Sequence, residues 1–171
     1  MKRQNEPADK VRLRRGHHLG HYDRETVNAI LDSGFLAHVG YVDDGAPLVT
    51  PMLYWRDGDY VYWHGSTASR AMKSAVNRQV CLSVTHLDGL VLAKSAFHHS
   101  ANYRSVMLFG AAEAILDRDE KIEHLRVFME QRFPGRWDQL RPVKEKELKG
   151  TLIVRMKIDQ YAAKIRTGPP S

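Results

Sequence analysis

Between residues 35 and 66 three apolar segments, "FLAHVGYV", "PLVTPMLYW" and "YVYWH", are separated only by the turn sequences "DDG" and "RDGD". Asp-Gly steps of this kind take the positive φ angles of tight hairpin turns, so consecutive segments must lie antiparallel and adjacent. That fixes an antiparallel sheet at the centre of the fold. Further along, "QVCLSVTHL" and "GLVLAKSAF" predict another strand pair, and "YRSVMLFGAAEAIL" a long strand in which Gly110 marks a bulge or a close backbone approach. "TLIVRMKID" and "YAAKIRT" predict two closing strands.

Helices punctuate these strands. Asp23 is placed to cap a short helix with Val27, Ile30 and Leu31 on one apolar face and Gly34 at its end. A second helix is expected to start near Ser66 to Ala68. Asp117 and Glu120 form a capping-box pattern for a third, with Ile122, Leu125, Phe128 and Met129 inward and "FPGRW" breaking it. Short antiparallel strands interrupted by helices predict a mainly-β small barrel with helices packed outside.

A chain of 171 residues is one ordinary domain, and 43% hydrophobic with 27% charged residues suits a soluble globular protein. No apolar run approaches the length that spans a bilayer, and the start lacks the apolar stretch of a secretory signal. Together with the single cysteine, Cys81, expected as an inert core thiol, this predicts a cytoplasmic protein without a membrane. The formal charge is +6, but Lys2, Arg3, Lys10, Arg12, Arg14 and Arg15 oppose only Glu6 and Asp9 in the first fifteen residues. The excess is thus a basic arm over residues 1–21, followed by a body over 22–171. With no nucleic-acid motif behind the arm, no nucleic-acid partner is expected.

Two stretches carry chemistry. In "WHGSTASRAMKSAVN" a glycine and short hydroxyl residues precede a helix on which Arg70 and Lys73 share a face. Unpaired N–H groups and converging cations at a helix start suit a phosphate-sized anion; a well-capped surface helix with solvated cations explains the same residues. In "SAFHHSANYRSVMLFG", Tyr103, Ser105 and Met107 alternate with Arg104, Val106 and Leu108. A cation such as Arg104 in a buried strand needs a ligand, an acidic neighbour or a subunit interface. His17, His18, His21, His98 and His99 invite a metal, but no carboxylate or thiol completes either cluster, and no metal site is expected. His38 is expected as a satisfied barrel histidine, and Trp55, Trp63 and Trp137 as packing aromatics.

Six strings in order, "LVTPMLY", "YWHGSTASRAMK", "NYRSVMLFG", "RFPGRW", "LKGTLIVRMKID" and "AAKIRTGPP", resemble the flavin-nucleotide-binding branch of the pyridoxamine 5′-phosphate oxidase-like family, which includes nitroimidazole-resistance proteins. The resemblance runs from about residue 22 to 170. It implies a six-stranded antiparallel split β-barrel with flanking α-helices, a homodimer holding FMN in clefts shared between subunits. By the same resemblance Val49, Thr50, Pro51 and Met52 line the isoalloxazine. His64 and Gly65 end the strand beneath it, Ser66, Ser69, Arg70 and Lys73 form the phosphate turn, and Tyr103, Arg104 and Ser105 approach from across the barrel. It implies an oxidoreductase that reduces a small-molecule acceptor with electrons from a reduced nicotinamide, with His64 in the chemistry. A flavin store, a redox sensor and a haem-binding split barrel remain alternatives. The phosphate-turn triplet of the vitamin B6 oxidases, "SRK", reads "SRA" here, which argues against vitamin B6 oxidation.

Overall fold

The structure, a computed structural model, describes residues 9–169. Its strands are β1 (Gly20–His21), β2 (Leu36–Asp43), β3 (Ala46–Asp57), β4 (Tyr60–Ser66), β5 (Gln79–Val91), β6 (Ser100–Ile115), β7 (Thr151–Lys157) and β8 (Gln160–Arg166). The helices are α1 (Arg24–Asp32), α2 (Arg70–Ala75), α3 (Arg118–Arg132) and α4 (Glu145–Gly150).

Every pairing is antiparallel, in the order β1-β8-β6-β5-β2-β3-β4-β7, and β7 also pairs with β6. The ring β2-β3-β4-β7-β6-β5 therefore closes on itself, and β8 with β1 hangs from β6 outside it. This is the expected six-stranded split barrel. Closure depends on β6 changing partners: residues 103–109 pair with β8, residues 112–115 with β7. Gly110 lies at the change, where a Cβ would stand 2.7 Å from Met156 Cγ. The glycine serves a close approach rather than a bulge, since its register with Val80 is regular.

The interior is filled by alternate residues of these strands, among them Val39, Tyr54, Val61, Trp63, Leu82, Val84, Val106, Leu108, Val154 and Met156. Helix α1 closes one end with Val27, Ile30 and Leu31, its first turn capped by Asp23, whose carboxylate accepts from the Thr26 N–H at 2.8 Å. Tyr54, driven inward by the β3 alternation, donates its hydroxyl to the Leu31 carbonyl at 2.5 Å and ties α1 to the barrel. A second cluster of Trp55, Tyr62, Ile115 and Ile153 lies on the outer surface, under Leu125 and Phe128 of α3. Asp117 caps α3 by accepting from the Asp119 and Glu120 N–H groups.

Two expectations are corrected. "QVCLSVTHL" and "GLVLA" do not form a strand pair; they run as one strand, β5, because Asp88-Gly89 makes a register shift against β6 rather than a reversal. The second helix starts at Arg70, not near residue 67: Ser69 is its N-cap, and residues 66–68 are held in a turn by the Ser66 hydroxyl accepting from the Ala68 N–H. The arm is docked where it is described. Val11 is buried, the Leu13 N–H donates to the Tyr22 hydroxyl at 2.8 Å, and β1 pairs with β8. Lys2, Arg3 and Glu6 lie outside the described residues. No described helix is long and apolar enough to cross a membrane.

Candidate functional site

Strand pairing carries side chains in rows across the outer face of the barrel. Val49 of β3, Gly40 of β2, Cys81 of β5 and Phe109 of β6 form one row; Pro51, His38, Ser83 and Met107 form the next. Leu53 pairs with Leu36, and Thr85 with Ser105, in a third. This face is apolar and open. Val49 is 67% exposed, and Leu36, Val42 and Leu53 are exposed with it. A cleft of about 340 Å³ runs along the first row, walled by Gly40, Val42, Pro47, Val49, Cys81 and Phe109, with Lys10 at its edge. A flat apolar floor with a cation at its rim fits a planar aromatic group bearing anionic substituents.

Alternation separates the four residues expected to act together on β3. Val49 and Pro51 stand on the open face, whereas Thr50 and Met52 point inward. Thr50 shares a hydrogen bond of 3.2 Å with the Tyr41 hydroxyl. A ligand on the outer face would meet Thr50 and Met52 through backbone only.

The turn after β4 follows from Gly65, where a Cβ would stand 2.8 Å from Met72 Cγ; this lets α2 pack directly on the strand. Ser69 Oγ accepts from the Met72 N–H at 3.5 Å, and Thr67 bonds to the Gly150 carbonyl. Arg70 and Lys73 project from α2 into solvent, Arg70 lying 3.5 Å from Asp43, and the Ser74 hydroxyl donates to that carboxylate at 2.6 Å. With six residues, α2 contributes little dipole, so the positive field of this turn comes from its two side chains.

His64 alternates with Trp63 and so faces outward, half-buried, with its ring 6.1 Å from that of Trp55 and 5.9 Å from that of Phe128. Its Nδ1 is buried without a partner among the described residues, and burial lowers its pKa, so the imidazole is neutral at pH 7. Gly65 and Ser66 continue the chain from it into the turn.

On β6, Ser105 lines a smaller cleft with Ser83, Thr85, Met107 and Lys164, and Lys164 Nζ lies 5.9 Å from the Tyr103 ring centroid. Arg104 points the other way and has an acidic neighbour: its Nε and Nη2 each reach Asp88 at 2.9 Å. The guanidinium in turn holds the Asp88 carboxyl below its usual range. The structure therefore brings Val49, Pro51 and Ser105 onto one continuous face, and puts Arg104 and His64 elsewhere.

Several residues of this face carried no earlier signal of function. His38 stands at its centre between Pro51 and Ser83, exposed rather than enclosed in the barrel. Cys81 is not a core thiol either; it opens on the cleft, half-buried, and burial raises its pKa. A strand's alternation shows that His38 and Leu36 share a side, but not which side faces solvent. Trp55 and Trp63 are packing residues as expected, both fully buried. Among the described residues no group of three His, Cys, Asp or Glu is placed to hold a metal.

A family model for pyridoxamine 5′-phosphate oxidase matches residues 23–165. No curated protein matches the chain. Among solved structures, the chain is similar to the flavocytochrome Anf3 from Azotobacter vinelandii, with 49% identity over 96% of this chain and 77% of that one and a TM-score of 0.92. An FAD and heme binding protein from Mycobacterium smegmatis is 37% identical, over 90% of this chain and 76% of that one, with a TM-score of 0.84. A proposed 5-nitroimidazole antibiotic resistance protein from Bacteroides thetaiotaomicron shares the fold at 21% identity, over 85% and 86% of the two chains, with a TM-score of 0.69.

Proposed function

This chain belongs to the pyridoxamine 5′-phosphate oxidase family, and from that membership we propose that it is a flavin-nucleotide-binding redox protein acting in the cytoplasm as a homodimer. The open apolar face of β2, β3, β5 and β6 carries the proposal. A row of Val49, Gly40, Cys81 and Phe109 gives a flat floor for the ring system, and its exposed neighbours Leu36, Val42 and Leu53 suit burial against a second copy. Such a cofactor supplies two-electron chemistry when bound. The chain's own residues bind and orient it. Val49 and Pro51 exclude water from one side of the ring, Arg70 and Lys73 with the hydroxyls of Ser66 and Ser69 hold its phosphate, and Tyr103 and Ser105 close the cleft. A neutral His64 can donate one hydrogen bond at the end of β4, to a small-molecule acceptor or to the nucleotide.

FMN is the nucleotide that the family resemblance implies, and the Mycobacterium smegmatis relative, described as binding FAD, makes FAD the competing assignment. A second reading is favoured by His38. An exposed imidazole on a broad apolar face is what an iron porphyrin needs from a protein, and the two most similar structures described above are a flavocytochrome and an FAD and heme binding protein. The purified protein tests both readings at once. A flavin absorption spectrum, with the released nucleotide identified chromatographically, is expected; a Soret band lost in His38→Ala adds haem. A colourless protein that takes up neither cofactor overturns the proposal. Oxidation of reduced nicotinamide with an added acceptor then separates an enzyme from a carrier or sensor.

A further inference from the structure

At the other end of β3 from the Arg70 turn, a cleft of about 280 Å³ is lined by Asp32, Arg56, Gln131 and Arg132. Ten residues of extended chain separate Ala46, where β3 begins beside that turn, from Arg56, a distance of roughly 33 Å at about 3.3 Å per residue. This cleft is therefore far from that turn, and it adjoins the open face only at the Leu36–Leu53 end.

Its charges do not balance. Arg56 and Asp32 satisfy one another, with Nε to Oδ1 at 2.7 Å and Nη2 to Oδ2 at 2.6 Å, and the remaining Arg56 Nη1 donates to the Gly58 carbonyl. Among the described residues Arg132 meets carbonyls alone. Its Nη1 donates to Asp32 O and its Nη2 to Tyr54 O, each at a long 3.3 Å, and its guanidinium lies 4.4 Å over the Phe35 ring. Its Nε is buried and finds no acceptor among the described residues. A half-buried guanidinium without a carboxylate among the described residues, on a fixed helix end and braced by an aromatic ring, has already met part of the cost of losing water. Gln131 fixes the rim, donating from Nε2 to the Arg56 carbonyl at 2.9 Å, which leaves its own amide oxygen unengaged among the described residues.

We infer that Arg132, with Gln131 beside it, is an oxyanion-binding site that takes the carboxylate or phosphate group of a small ligand. The planar fork matches either group, and with Asp32 and Arg56 paired to one another Arg132 is the remaining charge among the residues that line the cleft. The inference does not depend on what occupies the outer face of the barrel.

Calorimetric titration of the purified protein with inorganic phosphate and separately with acetate, at constant ionic strength in chloride, tests it. Saturable millimolar or tighter binding of at least one anion is expected, weakened about ten- to a hundredfold in Arg132→Gln and partly restored in Arg132→Lys. Gln131→Ala, which removes an exposed side chain, keeps the test open should Arg132→Gln fail to fold; it is expected to weaken binding by a few-fold. Arg118→Ala, at the opposite end of α3 and paired with Asp119 and Glu145, is expected to leave this binding unchanged. Preference for phosphate or for acetate names the ligand group. No saturable heat with either anion, or binding indifferent to both Arg132→Gln and Gln131→Ala, overturns the inference.

Discussion

Arg70 and His64 are separated by five residues, yet their environments set them different tasks. Arg70 is exposed and among the described residues reaches only Asp43, so its charge is available to a phosphate at the turn. Losing a charge-assisted hydrogen bond costs about 1.5–3 kcal/mol. Arg70→Ala is therefore expected to weaken flavin nucleotide binding about ten- to a hundredfold while riboflavin, without phosphate, is little affected; equal losses remove the turn from the phosphate site. His64 lies among Trp55 and Phe128 instead. If it passes a proton or hydrogen bond to the acceptor, His64→Ala lowers acceptor reduction by roughly 10²–10⁴ at full flavin occupancy; a rate unchanged at full occupancy withdraws it. Its burial has a second consequence. The folded-state pKa lies below the ordinary 6.5, so the unfolded chain binds the proton first as pH falls. The stability associated with a neutral His64 is present above pH 6.5 and is lost as pH drops from there toward the folded value. Denaturant unfolding at a series of pH values should show that slope in the wild type and a shallower one in His64→Gln.

At the scale of elements, β6 is the strand on which closure turns, and Gly110 is where it turns. A Cβ there stands 2.7 Å from Cγ of the fully buried Met156. Gly110→Ala is expected to destabilise by about 1–3 kcal/mol, as overpacking of a filled core does. Gly89→Ala is the matched control, since nothing lies within 4 Å of its added Cβ. Equal denaturation midpoints for the two variants would contradict a close approach at the change of partner. Gly110 could be recognised as special within its strand, because a glycine in the middle of a long apolar strand, between Phe109 and Ala111, wants a reason. The single course of β5 could not be anticipated, since "LDGL" has the composition of a hairpin turn. What keeps it extended is long pairing with β6 on both sides of the shift, from Gln79–Ala111 to Val91–Ser100.

For the whole molecule, the open face bears on assembly. Leu36, Val42, Val49 and Leu53 together expose more apolar surface than scattered single residues do, as an interface would. Leu36→Glu is expected to shift the protein from dimer toward monomer in light scattering and to reduce flavin affinity in step, because a cleft shared by two copies holds ligand only when both are present. A monomer that retains the cofactor with unchanged affinity would overturn the shared cleft.

The sequence by itself determined the class of fold and most of its elements. Period-two alternation bounded by Asp-Gly turns specifies antiparallel strands locally, and Asp23 and Asp117 announce their helices by chemistry that acts within a single turn. The order of motifs sufficed to suggest the family. Only the tertiary structure decided which side of each strand faces solvent, and so put His38 and Cys81 on the open face, exposed Val49 and Pro51 rather than Thr50 and Met52, and gave Arg104 to Asp88. In a barrel both sides of a strand can be apolar, so alternation names two sides without telling them apart. Arg132 was legible only as a residue of "RFPGRW"; that its guanidinium meets carbonyls and no carboxylate among the described residues follows from contacts with residues 32 and 54, 100 and 78 positions earlier in the chain, which no local pattern encodes.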